Sequence, residues 1–146
     1  MSAEVFLDTN IFVYSFHAAD SEKQAVSKSL IGKSLAENWG CVSYQVIQEF
    51  INVATRKFIV PPSSQDMHRY MDKVFRPLCQ VFASIELYQN THEILSRYGY
   101  SFYDALIIAS AQEAGCRFLL TEDMQDQQKI GSLKIVNPFK DPQILS

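Results

Sequence analysis

Short apolar runs alternate with longer amphipathic stretches along the whole chain. Val5-Phe6-Leu7 is an apolar triplet that predicts a buried strand. From about Asn10 a helical pattern runs toward Asn38, with one interruption allowed for. Cys41-Val42-Ser43 predicts a second strand, and Gln45 to Lys57 a helix with its core stripe on Ile47, Phe50, Ile51 and Ala54. Pro61-Pro62-Ser63-Ser64 marks a loop, after which Ser64 to Phe75 reads as helix. Gln80 to Ala83 predicts a strand, Ile85 to Arg97 and Phe102 to Ala114 helices, and Phe118-Leu119-Leu120 and Lys134-Ile135-Val136 the closing strands.

Strands this short and apolar, separated by helices, predict a mainly parallel sheet covered on both faces. The expected fold is therefore an α/β/α sandwich in which residues 1–146 form one domain. In such open sheets ligands bind beyond the carboxyl ends of the strands. The acids that follow strands become the first candidates for chemistry.

Asp8 directly follows the first strand in FLDTN, and Glu122 and Asp123 follow Phe118-Leu119-Leu120 in FLLTED. Acidic and hydroxyl residues there also serve as turn and helix-capping groups, so each position alone has a structural explanation. Asp104 lies at the mouth of an all-apolar helix, three residues after Ser101, in the spacing of a capping box. A buried carboxylate there is costly unless a cation accompanies it. Glu49 falls about 40° from Val53 on its helix, at the border of the apolar face, where a solvated glutamate is the ordinary case.

Composition changes this picture little. The chain is 47% hydrophobic and 20% charged, which is ordinary for a globular domain. No apolar run suits a membrane span or a secretory leader, so a cytoplasmic protein is expected. Cys41, Cys79 and Cys116 have neither disulfide nor zinc spacing and are expected to be reduced and buried. His17, His68 and His92 lack ligand spacing and are expected near the surface. Tyr98, Tyr100, Phe102 and Tyr103 are candidates to face the site, with packing around the Asp104 helix the preferred reading. The net charge of −3 argues against a protein that coats nucleic acid by charge alone. It does not argue against one that reaches phosphate through a cation, helped by patches such as Arg56-Lys57.

FLDTN, VSYQVIQEF, FYDALIIASA and LLTEDMQD resemble, in order and spacing, the motifs of PIN domains, and in particular of VapC-type toxins of toxin–antitoxin pairs. The resemblance covers nearly the whole chain, including the closing LKIVNPF. It implies a PIN-like fold, an endoribonuclease and catalytic acids at Asp8, Glu49, Asp104 and Asp123. Asp8, Asp104 and Asp123 would hold Mg2+, with Mn2+ as a substitute, although Glu122 and Asp126 compete with Asp123 for the last place. Thr9, Asn10, Ser43 and Thr121 match polar positions that orient the acids or bind water and phosphate. The implied partners are an RNA substrate, a cognate antitoxin and a second copy in a homodimer. Phe12, Val13, Phe16, Val26 and Leu30 are candidates for protein contacts, or equally for core. Two rival readings are an inert PIN-fold binding module and an aspartyl phosphotransferase using Asp8. The latter lacks the usual second Asp, since Asn10 stands there.

Overall fold

The computed structural model describes residues 3–145. Its centre is a six-stranded sheet in the order β3-β2-β1-β4-β6-β5. β1 (Val5–Leu7) pairs in parallel with β2 (Gly40–Ser43) on one side and β4 (Phe118–Leu120) on the other. β3 (Cys79–Val81) extends the sheet beyond β2, and β6 (Leu133–Val136) extends it beyond β4, again in parallel. Only the two-residue edge strand β5 (Lys129–Ile130) runs antiparallel. β1 and β2 are buried throughout, as expected of parallel strands covered on both faces.

The chain leaves β1 toward β2 and β3, then returns past β1 to β4. The strand order therefore reverses between β1 and β4, and a crevice opens there at the carboxyl edge. Right-handed crossovers place the helices of the outward path on one face and those of the return path on the other. The outward helices are α1 (Thr9–Tyr14), α2 (Ser21–Glu37) and α3 (Tyr44–Arg56). A continuous helical run follows: α4 (Ser64–Tyr70), a π turn (Met71–Phe75) and α5 (Arg76–Leu78). The return helices are α6 (Ile85–Tyr98) and α7 (Phe102–Glu113), packed on each other, with α7 against β2 and β4. Ala105 through Ala111 are all buried, which accounts for the absence of any polar face there. The result is the expected α/β/α sandwich.

Local chemistry sets the boundaries. The expected interruption between Asn10 and Asn38 falls after Tyr14. There the Ser15 hydroxyl donates to the Phe12 carbonyl at 2.6 Å, while Asp20 caps α2 by accepting the Lys23 N–H at 3.1 Å. Asn38 ends α2 in the left-handed region at φ +53°. Gly40 then begins β2 directly beneath α2, where a Cβ would lie 2.1 Å from Ser34 Oγ. Only glycine allows that approach.

Several expectations need correction. The third strand is Cys79–Val81 rather than Gln80 to Ala83: the helical run continues through Pro77 to Leu78, and the chain turns extended directly at Cys79. β5 was not expected, since two residues carry no readable period. The buried stripe of α3 runs through Gln45, Val46, Phe50 and Ala54, which leaves Ile47 and Ile51 half-buried. Phe12, Val13 and Leu30 are core, and of the early-helix candidates only Phe16 is exposed. Cys41 and Cys116 are buried free thiols with Sγ atoms 3.6 Å apart, whereas Cys79 is only half-buried.

Candidate active site

Asp8, Glu49, Asp104 and Asp123 line a single cavity of about 310 Å³ at the carboxyl edge, together with Thr9, Asn10, Asn52 and Tyr103. Val53 and Ile107 form its apolar wall. Each acid arrives from a different segment: the end of β1, the middle of α3, the first turn of α7 and the loop after β4. No local sequence preference would gather them.

Asp8 is 8% exposed and both its oxygens are engaged. Oδ1 accepts the Thr9 N–H at 2.7 Å, and Oδ2 accepts the Thr121 hydroxyl at 2.7 Å. The residue therefore caps α1 and faces the cavity at once, so the structural and chemical readings coexist. Burial raises its pKa from 3.8 to about 6. The two hydrogen bonds oppose that rise, and the charges of Glu49 and Asp123 add to it.

Glu49 is half-buried. Its Oε1 accepts the Thr9 hydroxyl at 2.5 Å, and its Oε2 accepts from the Gln45 amide at 3.3 Å. Asp104 is half-buried at the start of α7, where Ser101 caps the helix by accepting the Asp104 N–H at 3.3 Å. The expected capping geometry is present, but it uses the Asp104 backbone and leaves its carboxylate to the cavity. Asp123 accepts from the Asn10 side-chain amide at 2.7 Å. Partial burial of its carboxyl, then the charges of Glu122 and Asp104, push its pKa up; Lys23 and Asn10 oppose this.

The three acids after β4 are separated by their partners. Glu122 bonds Tyr14 and makes an ion pair with Lys23 at 2.8 Å, with the ammonium 4.7 Å from the Tyr14 ring and 5.4 Å from that of Phe139. Asp126 accepts the Asn137 N–H at 2.8 Å and so ties the loop to the end of β6. Only Asp123 of the three lines the cavity. Thr121 holds the loop in place, donating to Asp8 and accepting the Asp123 N–H at 3.2 Å.

Among the polar candidates, Thr9, Asn10 and Thr121 all bond an acid. Ser43 does not reach the cavity; it is buried ahead of α3 with its hydroxyl unpartnered. The three histidines are exposed and none lines the cavity. The assignment of Phe102 and Tyr103 to packing is overturned: both are exposed, and Tyr103, 65% exposed, forms part of the rim. Two further residues escaped the sequence reading. Gln45 and Asn52 lie four before and three after Glu49, so helical spacing alone puts them on its face.

A carboxylate-lined crevice at the reversal point of a mainly parallel α/β/α sheet defines the class of protein. Within that class the chain belongs to the PIN-domain family, whose model matches residues 5–132. No curated protein sequence gives a significant match. Among solved structures, a toxin–antitoxin complex from Klebsiella pneumoniae is similar, with a TM-score of 0.62 and 17% identity over 92% of this chain and 98% of that one. The sarcin–ricin loop-cleaving toxin VapC20 of Mycobacterium tuberculosis aligns at a TM-score of 0.60 and 19% identity, covering 82% of this chain and 90% of its own. A DNA-bound VapBC complex from Salmonella typhimurium aligns at 0.61 and 19% identity, over 91% and 96%.

Proposed function

We propose that this chain is a metal-dependent endoribonuclease and the toxin of a VapBC-type pair. The observation that carries the nuclease reading is the convergence of Asp8, Glu49, Asp104 and Asp123 on one cavity, with Asp8 titrating near pH 6. Burial, and after it the charges of Glu49 and Asp123, oppose ionisation of Asp8 unless a cation joins it.

The donor set fits magnesium, with manganese as a substitute. It consists of carboxylate, amide and hydroxyl oxygens without sulfur or imidazole, the preference of a hard cation. Among the described residues no three acidic, His or Cys side chains form a ready-made ligand set. Magnesium does not require one, since it commonly takes one or two carboxylates and keeps several waters. Asp8, Asp104 and Asp123 would hold the ion, one or two of them directly and the rest through its waters, with Thr121 and Asn10 fixing the first and last of them. When bound, it would polarise the phosphoryl oxygen and lower the pKa of water.

The chain's own residues then orient the reactants. Glu49, held by Thr9 and Gln45, presents a fixed carboxylate to the cavity, where it would orient an attacking water. Asn52 and Tyr103 offer polar and aromatic contacts to the flanking nucleotides. In-line attack forms the water–phosphorus bond, breaks the bond to the 3′ oxygen and leaves a 5′-phosphate and a 3′-hydroxyl. Asn10 stands where the phosphotransferase alternative needs a second Asp, and here its amide is bonded to Asp123.

The toxin reading draws on the structural likeness to toxin–antitoxin complexes and on two surfaces. Phe16, Phe58, Val60, Tyr70 and Val74 line an apolar groove of about 740 Å³, with a fully exposed Ile59 beside it; we assign this to the antitoxin. Ile85 and Tyr88 on α6 and Phe102 at the start of α7 are exposed apolar side chains that we assign to contact with a second copy. Sequencing of new RNA 5′ ends after brief induction tests the proposal. Discrete new 5′-phosphate ends that vanish with Asp8→Asn support it; an unchanged end profile removes it.

A further inference from the structure

Gln45 is an unusual residue to bury. It is 2% exposed at the second position of α3, and its Oε1 is buried without a hydrogen-bond partner. Leaving an amide oxygen unpaired is costly. An apolar side chain of similar length would fill the space without that cost, so the contribution of Gln45 lies in its NH2 group.

Both protons of that group have acceptors. One is Glu49 Oε2 at 3.3 Å, one turn along the same helix, and the other is the Tyr103 carbonyl at 3.2 Å. Reversing the amide would set its oxygen against two acceptors, so its orientation is fixed. With Thr9 bonded to the other Glu49 oxygen, the carboxylate is held from two sides. The same amide joins α3 to the first turn of α7, at the residue immediately before Asp104.

We infer that Gln45 is a positioning residue, which aims the Glu49 carboxylate and couples it to the turn that carries Asp104. The inference rests on the nuclease reading for its kinetic consequence, but its structural part can be read independently.

Gln45→Met keeps the length and removes both donors. In the purified chain with magnesium and a susceptible RNA, it should lower kcat about tenfold with KM unchanged, a loss expected from a misaimed group. Most of the loss should disappear in a Glu49→Gln background, leaving only the part that passes through Tyr103 to the turn carrying Asp104. Amide exchange at the first turn of α7 should quicken while the melting temperature stays within about 3 °C, since the unpaired oxygen goes too. Independent, multiplying effects of the two substitutions, or an unchanged kcat, would overturn the inference. If the wild-type chain cleaves no RNA, the nuclease reading fails. Exchange alone then decides the bridge: faster exchange upholds the coupling and unchanged exchange rejects it.

Discussion

Asp8 carries a conflict that can be measured. Its pKa in the folded chain, about 6, lies above the ordinary value of 3.8, so the fold binds the proton more tightly than the unfolded chain does. The resulting stability is fully present below pH 4 and is lost as the pH rises through about 6, on the order of 2–3 kcal/mol in all. Asp8→Asn removes the charge but keeps an oxygen for capping α1. In chelator this variant should therefore melt above the wild type at pH 7.5, with the gap narrowing as the pH falls and closing only below about pH 4; marked destabilisation throughout would show that the carboxylate serves the cap alone. With magnesium, the wild type should bind the ion more weakly below about pH 6, because the ligand must first lose its proton. The other acids sort by their partners. Asp123→Asn should impair cleavage by more than tenfold, while Glu122→Gln and Asp126→Asn should act mainly on stability, by about 1–2 kcal/mol, through Lys23 and Asn137. Side-by-side rates and melting curves check this, and a greater loss of rate from Glu122→Gln would reverse the assignment.

At the scale of elements, most of the architecture was legible in the sequence because each signal is local. Val5-Phe6-Leu7 and Phe118-Leu119-Leu120 announce central strands by being apolar throughout, and Ser101 announces the start of α7. What was not legible depends on distant contacts. β5 exists only because β6 pairs with it, and the buried side of α3 is rotated because Gln45 turns inward to meet Tyr103. The site divides in the same way. Three of the acids stand out by their place after strands or at a helix start, but whether Asp123, Glu122 or Asp126 faces the cavity depends on Lys23, remote in sequence, and on the way β6 brings Asn137 back to Asp126. Gly40 tests an element boundary directly. Gly40→Ala should destabilise the fold by about 2 kcal/mol or more, since the added methyl meets Ser34 on α2. Gly40→Ala with Ser34→Ala should recover part of that loss in the same unfolding assay, and no recovery would place the constraint in the backbone instead.

Across the whole molecule, net charge −3 and an acidic cavity give free RNA little electrostatic reason to bind. A cation in the cavity reverses that locally, and so would an arginine from a protein partner, which can pair with several carboxylates at once. The two should compete. On the proposed toxin role, expression of this chain should arrest growth, and co-expression of a cognate antitoxin should relieve the arrest. In vitro, inhibition by that antitoxin should weaken as magnesium rises, beyond a control of equal ionic strength. Inhibition indifferent to magnesium would mean that the partner covers the RNA path without entering the acid cluster.

The central claim is that these four acids form a working hydrolytic site, and one assay addresses it most directly. Purified wild-type chain, Asp8→Asn and Asp104→Asn would be incubated with a mixed cellular RNA pool in chelator and in magnesium, and the new ends mapped and their phosphates identified. The account predicts cleavage by the wild type only with the cation, with 5′-phosphate and 3′-hydroxyl ends, and a loss of at least about a hundredfold in both folded variants. Cleavage that persists in chelator, cyclic-phosphate ends, or near-wild-type rates from either variant would contradict it.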